Sequence, residues 1–151
     1  MPLEGTRLPI PIARTKFNER RPRLSPDGRF VAYETDETGA SEVYVQPFPP
    51  TGGKWQVSVG GGADVAWRGG GRELFYVNSR GTLIAVPVKL SSNSFLTGVP
   101  TPLFSLARGD RAGLQRYDVV GEGSRFLVRT VVDVQPQPIT VVLNWPARLK
   151  K

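Results

Sequence analysis

The sequence predicts an all-β protein of short antiparallel strands, and three observations carry that prediction. Glycine and proline are abundant, 17 and 14 in 151 residues, and they fall between short apolar runs instead of forming one low-complexity tract. Several of those runs alternate polar and apolar residues, as in Glu42-Val-Tyr-Val-Gln46, the period of a half-buried strand. A segment built around a glycine turn also recurs along the chain.

The recurring segment is Leu24-Ser-Pro-Asp-Gly-Arg-Phe-Val-Ala-Tyr33. It aligns with Trp67-Arg-Gly-Gly-Gly-Arg-Glu-Leu-Phe-Tyr76 and more loosely with Val119-Val-Gly-Glu-Gly-Ser-Arg-Phe-Leu-Val128, where one extra residue is expected. In each copy a short strand enters a turn whose glycine is free to take positive φ, and an apolar strand leaves it. Gly28, Gly71 and Gly123 lie 43 and 52 residues apart, close to the roughly 40 to 50 residues of one propeller blade.

From the first turn onward, Phe30 to Thr35 is expected as a strand, Asp36-Glu-Thr-Gly39 as a turn and Glu42 to Gln46 as the next strand. After the break at Pro47 to Gly53, Lys54-Trp-Gln-Val57 restarts the pattern as an outer strand. The second unit repeats the order with Ala63 to Trp67, Glu73 to Val77, Leu83 to Val88 and a short strand near Pro102 to Ser105, the polar stretch Lys89 to Val99 being expected as a loop. The third has Arg116 to Val119, Phe126 to Val131 and Ile139 to Leu143. Residues 10–14 are extended and apolar and are expected as an outer strand that completes the last unit.

The expectation is therefore a β-propeller fragment of about three four-stranded antiparallel blades, half of a six-bladed propeller, in one domain over residues 1–151. Its parts are the outer strand 10–14, blade one at 21–58, blade two at 63–105, and blade three at 115–143, which lacks its own outer strand. A basic tail follows at 144–151.

The motif Leu24-Ser-Pro-Asp-Gly-Arg with the following Val-Ala-Tyr resembles the TolB-like, WD-repeat-like propeller repeat. The segments Arg14-Thr-Lys-Phe-Asn-Glu19, Glu42-Val-Tyr-Val-Gln-Pro-Phe-Pro49, Arg72-Glu-Leu-Phe-Tyr76 and Ile139-Thr-Val-Val-Leu-Asn-Trp145 are similar to the C-terminal propeller part of some bacterial serine/threonine kinases. The resemblance spans residues 10–151 and implies the fold, a protein-interaction or sensing role, and an extracytoplasmic location. It implies no catalytic residue. The turn acid varies, Asp27 in the first copy against Gly70 and Glu122 in the others, and the chain has no kinase Gly-rich loop, HRD-type loop or DFG.

Composition excludes whole classes of chemistry. With no histidine and no cysteine, Ser-His-Asp and Cys-His catalysis, thiolate ligands and His-bearing metal sites are all ruled out. Neither a signal peptide nor a transmembrane run is read in the chain, so no membrane insertion is expected. The net charge of +7 comes from dispersed Lys and Arg, with local concentrations at Arg20, Arg21 and Arg23 and in the tail, a pattern that argues against a nucleic-acid stripe.

Candidate sites follow from what remains. Arg20, Arg21 and Arg23 lie beside the first inner strand and are possible channel-facing or ligand-facing groups for an anionic peptide. Trp55, Trp67 and Trp145, with Tyr33, Tyr44, Phe75 and Tyr76, are expected as wedges between blades instead of stacking platforms. Asp27, Asp36, Glu37, Asp64 and Glu73 are not expected to form a catalytic pair or an oxygen-ligand cation site, the turn acids among them accepting from their own turn amides, and the runs Gly60-Gly-Gly62 and Gly69-Gly-Gly71 are expected as turns, not phosphate loops.

No cofactor and no metal are expected, and no enzyme. The expected partner is a second copy, a homodimer through strand exchange and blade-face packing, because three blades leave an apolar face and an unpaired edge at each end. The expected function is a non-enzymatic module for protein interaction or sensing, with a protein or peptide partner besides the second copy; a self-assembling structural fragment with no external ligand is the alternative, and a propeller-hosted hydrolase is disfavoured.

Overall fold

The computed structural model describes residues 9–91, 94–106, 115–121 and 123–130. Among these residues the chain is all β, without a helix, and its strands pair antiparallel throughout. The first sheet is a meander of β1 (Arg20–Leu24), β2 (Phe30–Thr35), β3 (Glu42–Pro47) and β4 (Trp55–Gln56), in that order. The second holds β5 (Gly62–Trp67), β6 (Glu73–Asn78) and β7 (Thr82–Leu90), with β8 (Phe95–Thr97) and β9 (Thr101–Ser105) both pairing β7. The third is the hairpin of β10 (Tyr117–Val120) and β11 (Arg125–Val128).

The three aligned segments pair across their turns in the same backbone register. Leu24 opposes Val31, Trp67 opposes Leu74, and Val119 opposes Phe126, with the same sequence separation in all three. The third copy therefore has no extra residue at its turn. In the first two turns Gly28 and Gly71 take φ of 72° and 67° and donate to the carbonyls of Ser25 and Arg68, a conformation open to glycine without a Cβ penalty.

Identical register fixes which way each side chain points, because residues along a strand alternate between faces. On the strand after the turn, Phe30 and Ala32 point from the first sheet toward the second, while Leu74 and Tyr76 point back from the second toward the first. One step along, Phe75 and Val77 point from the second sheet toward the third, and Phe126 points back.

Two cores result. Phe30, Val43, Val45, Leu74, Val86 and Phe95 lead the larger one, with Trp55 and Trp67 against it; Phe75, Leu83, Leu106 and Tyr117 lead the smaller. The second sheet is buried on both faces, which is why Leu74, Phe75, Leu83 and Val86 are all sealed from solvent.

Two sequence-based expectations need correction. The stretch Lys89 to Val99 is not a simple loop, since β7 runs on to Leu90 and returns as β8. The reason lies in Phe95, whose ring sits between those of Phe30, Trp55 and Trp67, so the excursion carries an aromatic plug into the first seam.

Residues 10–14 likewise form no strand. Pro9 and Pro11 remove alternate backbone donors that a ladder would need. The segment lies instead against the outward face of the first sheet, where Gln46 Nε2 donates to the Ile12 carbonyl at 2.6 Å and Ile10, Ile12 and Ala13 share a cleft with Tyr33. Its expected partner strand at 139–143, and the basic tail at 144–151, lie outside the described residues.

Candidate functional site

The first strands of the three sheets meet around one cleft. Its walls are Arg23 and Leu24 from β1, Ala66 and Trp67 from β5, and Tyr117 to Val119 from β10, and it encloses about 770 Å³. Leu24, Trp67 and Val119 hold matching positions in the three aligned segments, so the cleft is lined by strands of matching register.

Trp67 is held in its wall by two contacts. Its indole Nε1 donates to the Arg23 carbonyl at 3.0 Å, and its ring meets Phe95 edge-on at 6.4 Å. The indole thus joins the first sheet to the second while one edge borders the cleft. Arg23 is exposed and its guanidinium donates to the neutral amide oxygen of Gln115 at 2.6 Å. A cation opposite a neutral acceptor keeps its charge available to an anion entering the cleft.

Beside the cleft lies a chain of charges that the sequence reading did not assemble, its carboxylates buried and its guanidinium groups partly exposed. Asp64, 2% exposed, sits between Arg21, whose Nη1 is 2.9 Å away, and Arg116, whose Nε donates to it at 2.6 Å. Glu34 adds a second carboxylate, accepting from the Asp64 amide at 2.6 Å and pairing with Arg21 at 3.2 Å. The three sheets are therefore tied at their leading strands by an Arg–Asp–Arg clasp. Tyr117 reinforces it by donating its buried hydroxyl to the Asp64 carbonyl at 2.7 Å, and burial, with Asp64 alongside, pushes that phenol's pKa well up.

The clasp depends on a shared backbone irregularity. Arg21 and Asp64 are the described non-glycine residues with positive φ, 50° and 55°, and each sits where the register of its strand shifts. A bulge of this kind turns a side chain out of the pleat and along the sheet edge. The signal in the sequence was their 43-residue spacing, equal to that of Gly28 and Gly71, while Arg116 stands a further 52 residues on, as Gly123 does.

The three arginines singled out from sequence are thus separated. Arg23 faces the cleft, Arg21 is engaged with Glu34 and Asp64, and Arg20 borders the residue 10–13 segment on the opposite side.

The candidate carboxylates are dispersed too. Asp27 accepts from Ser25 and from the amide and guanidinium of Arg29, bonds that outweigh the upward push of burial and hold its pKa below the ordinary value. Asp36 is lowered by hydrogen bonds from the side chain and amide of Asn18. Glu37 pairs with Lys54, and Glu73 with Arg68 at 2.7 Å.

Tyr33 and Tyr44 stack at 6.4 Å on the outer face of the first sheet, and Trp55 packs on Phe30 and Phe95. Trp145 lies outside the described residues, as does Glu122.

Glu42 was not singled out from sequence, although it is a buried acid on a mostly apolar strand. It accepts from the Ser58 hydroxyl and from the Gly61 amide at 2.8 Å, fixing the link between the first and second sheets. Among the described residues no three acidic side chains converge as a metal-binding group, and no helix is long and apolar enough to cross a membrane. No protein-family model matches the chain, and no curated protein matches its sequence.

Proposed function

We propose that this chain is a non-enzymatic β-propeller module of the TolB-like, WD-repeat-like class, used for protein interaction or sensing. What carries the reading is the identical register and facing of three successive repeats, whose innermost strands line a single cleft. Stacked sheets around a shared inner cleft are the architecture by which propellers present a binding surface.

The chemistry of the cleft favours an extended acidic segment as its occupant. Arg23 supplies an exposed cation, Trp67 an aromatic edge, and Leu24 and Val119 apolar walls. The non-enzymatic part of the reading is supported by the absence of histidine and cysteine and by the engagement of Asp27, Asp36, Glu37, Asp64 and Glu73 in separate hydrogen bonds and ion pairs.

A titration with a ten-residue glutamate peptide, followed by tryptophan fluorescence and calorimetry, tests the proposal. Saturable binding that weakens about tenfold in Arg23→Ala, the loss of one charge-assisted contact, is the expected result. Equal affinity in the two proteins, or no saturation, would remove the cleft from the proposal.

A second reading is a self-assembling unit in which two copies complete a six-bladed ring. It is favoured by Leu127, 66% exposed on the outward side of β11. Light scattering across a concentration series separates it from the first reading, since it requires a compact dimer in the absence of any ligand.

A further inference from the structure

We infer that the cleft between the 25–29 turn, the 68–72 turn and the end of β7 is a binding site for a phosphate monoester, held by Arg72 and Lys89. The cleft shares no lining residue with the one around Trp67, so the inference stands apart from the peptide reading proposed above.

Three short stretches wall it: Asp27 and Arg29, then Gly70 to Arg72, then Val88 to Leu90. Close packing sets them side by side. A Cβ on Gly71 would stand 3.4 Å from Pro26 and 3.6 Å from Leu90, and the Val88 amide donates to the Arg72 carbonyl at 2.8 Å. Buried Val88 and half-buried Leu90 give the cleft an apolar side.

The first support is an imbalance of charge. Three cations line the cleft and a single carboxylate faces them, and that carboxylate is already engaged. Asp27 Oδ1 accepts from the Ser25 hydroxyl at 2.6 Å and the Arg29 amide at 3.1 Å, while Oδ2 holds the Arg29 guanidinium at 2.8 and 2.9 Å. Glu73, next to Arg72 in the chain, pairs with Arg68 at 2.7 Å. Arg72 and Lys89 are exposed, and among the described residues neither enters an ion pair. Two positive charges are therefore left to one cleft without a counter-charge from the protein.

A phosphate monoester answers that imbalance, since it brings a charge of about −1.5 to −2 at neutral pH and three acceptor oxygens. A carboxylate or a sulfate ester, with one charge, leaves one cation unmatched. The planar fork of an arginine suits two phosphate oxygens, and a lysine ammonium serves as a point charge beside them.

The second support is access to the main chain. Gly70 takes φ of 52°, and a Cβ there would meet nothing within 4 Å, so the turn is open where an oxyanion would approach the backbone. The cleft encloses about 630 Å³, within the roughly 300–1,000 Å³ of small-ligand sites, which leaves room for the group that bears the phosphate.

The experiment titrates the full chain with phenyl phosphate, followed by calorimetry and amide chemical shifts. Saturable binding is expected, with shifts at Gly70, Gly71, Arg72 and Lys89. Arg72→Gln and Lys89→Gln should each weaken it about tenfold, the loss of one charge-assisted contact, and Arg23→Ala should leave it unchanged. Phenyl sulfate, of the same shape with less charge, should bind about fivefold more weakly or worse.

The phosphate's second proton leaves near pH 6, and the chain has no histidine to titrate there, so affinity should rise about fourfold from pH 5.5 to pH 7.5. Absence of saturable binding, or equal affinity in the parent and both Gln variants, would overturn the site. Equal affinity for the sulfate, or a flat pH profile, would overturn the assignment to phosphate. Weakening in Arg23→Ala would move the anion to the cleft around Trp67 and overturn the inference.

A phosphoserine pentapeptide identifies the source of the group. Tighter binding than phenyl phosphate, with the same dependence on Arg72 and Lys89, supports a phosphorylated side chain, and weaker binding supports a small organic phosphate. Failure of the glutamate-peptide titration leaves all these outcomes readable, because Arg23 belongs to a different surface.

Discussion

The two seams of the molecule share a backbone plan and differ in what fills them. Between the first and second sheets the contact is aromatic and deep, with Phe30, Trp55 and Phe95 at ring separations of 5.6 to 6.2 Å. Between the second sheet and the β10–β11 hairpin, Phe126 alone collects Phe75, Phe104 and Tyr117, and more of the joining falls to polar groups around Asp64. Repetition of register therefore fixes where side chains point, while the residue at each position decides whether a seam is held by burial or by charge.

Substitutions at matched repeat positions break that comparison open. Phe30 is fully buried in the first seam, and Phe30→Ala should cost about 3–5 kcal/mol in denaturant unfolding, from lost burial plus the cavity left behind. Arg125 stands at the same repeat position on the open side of the third hairpin, and Arg125→Ala should stay within about 0.5 kcal/mol, as surface changes do. Comparable losses at both positions would show that the outward face is as buried as the first seam.

The clasp gives the next largest effect. Asn tolerates positive φ, so Asp64→Asn isolates the charge from the backbone conformation. Leaving Arg21 and Arg116 without their shared carboxylate should cost about 3 kcal/mol, and a double-mutant cycle with Arg116→Gln should show coupling above about 1 kcal/mol. Additive losses would mean that the two groups act independently.

A smaller effect is expected at the joint between the first two sheets. A Cβ on Gly62 would stand 2.2 Å from the Ser58 hydroxyl that bonds Glu42, so Gly62→Ala should cost about 1–3 kcal/mol through displacement of that bond. A thermal midpoint unchanged from the parent would show that the joint relaxes freely.

What the sequence carried and what it did not can be traced to particular residues. Strand positions such as Phe30 to Thr35 and Glu73 to Val77 were legible because period-two alternation and glycine turns are local properties of the chain. The excursion that ends in Phe95 was hidden because its surroundings are polar and only the distant rings of Phe30, Trp55 and Trp67 explain its return.

Residues 10–14 were misread as a strand because their apolar side chains were weighed more heavily than the missing donors of Pro9 and Pro11. The clasp was the least legible feature, since it depends on bulges that rotate Arg21 and Asp64 out of the pleat. Only the equality of the Arg21–Asp64 and Gly28–Gly71 intervals pointed to it.

The smallest effect separates the polar part of the second seam from its apolar part. Tyr117→Phe removes the hydroxyl bonded to the Asp64 carbonyl and keeps the ring against Phe126, so a loss of about 1 kcal/mol is expected near pH 8. The pH dependence sharpens the test. Burial raises the folded-state pKa of Tyr117 above the unfolded value of 10.0, so the unfolded chain gives up this proton first as pH rises.

The stabilisation from Tyr117 is therefore complete below pH 10 and declines above it, a limb that Tyr117→Phe lacks. Tyr33 and Tyr44, each pushed up to about 12 by burial, leave a common alkaline limb in both proteins. The stability difference between parent and variant should accordingly shrink between pH 9 and pH 11. A constant difference across that range would mean that the phenol is not sealed in the seam, and the hairpin would then be held by Phe126 and the Arg116–Asp64 pair alone.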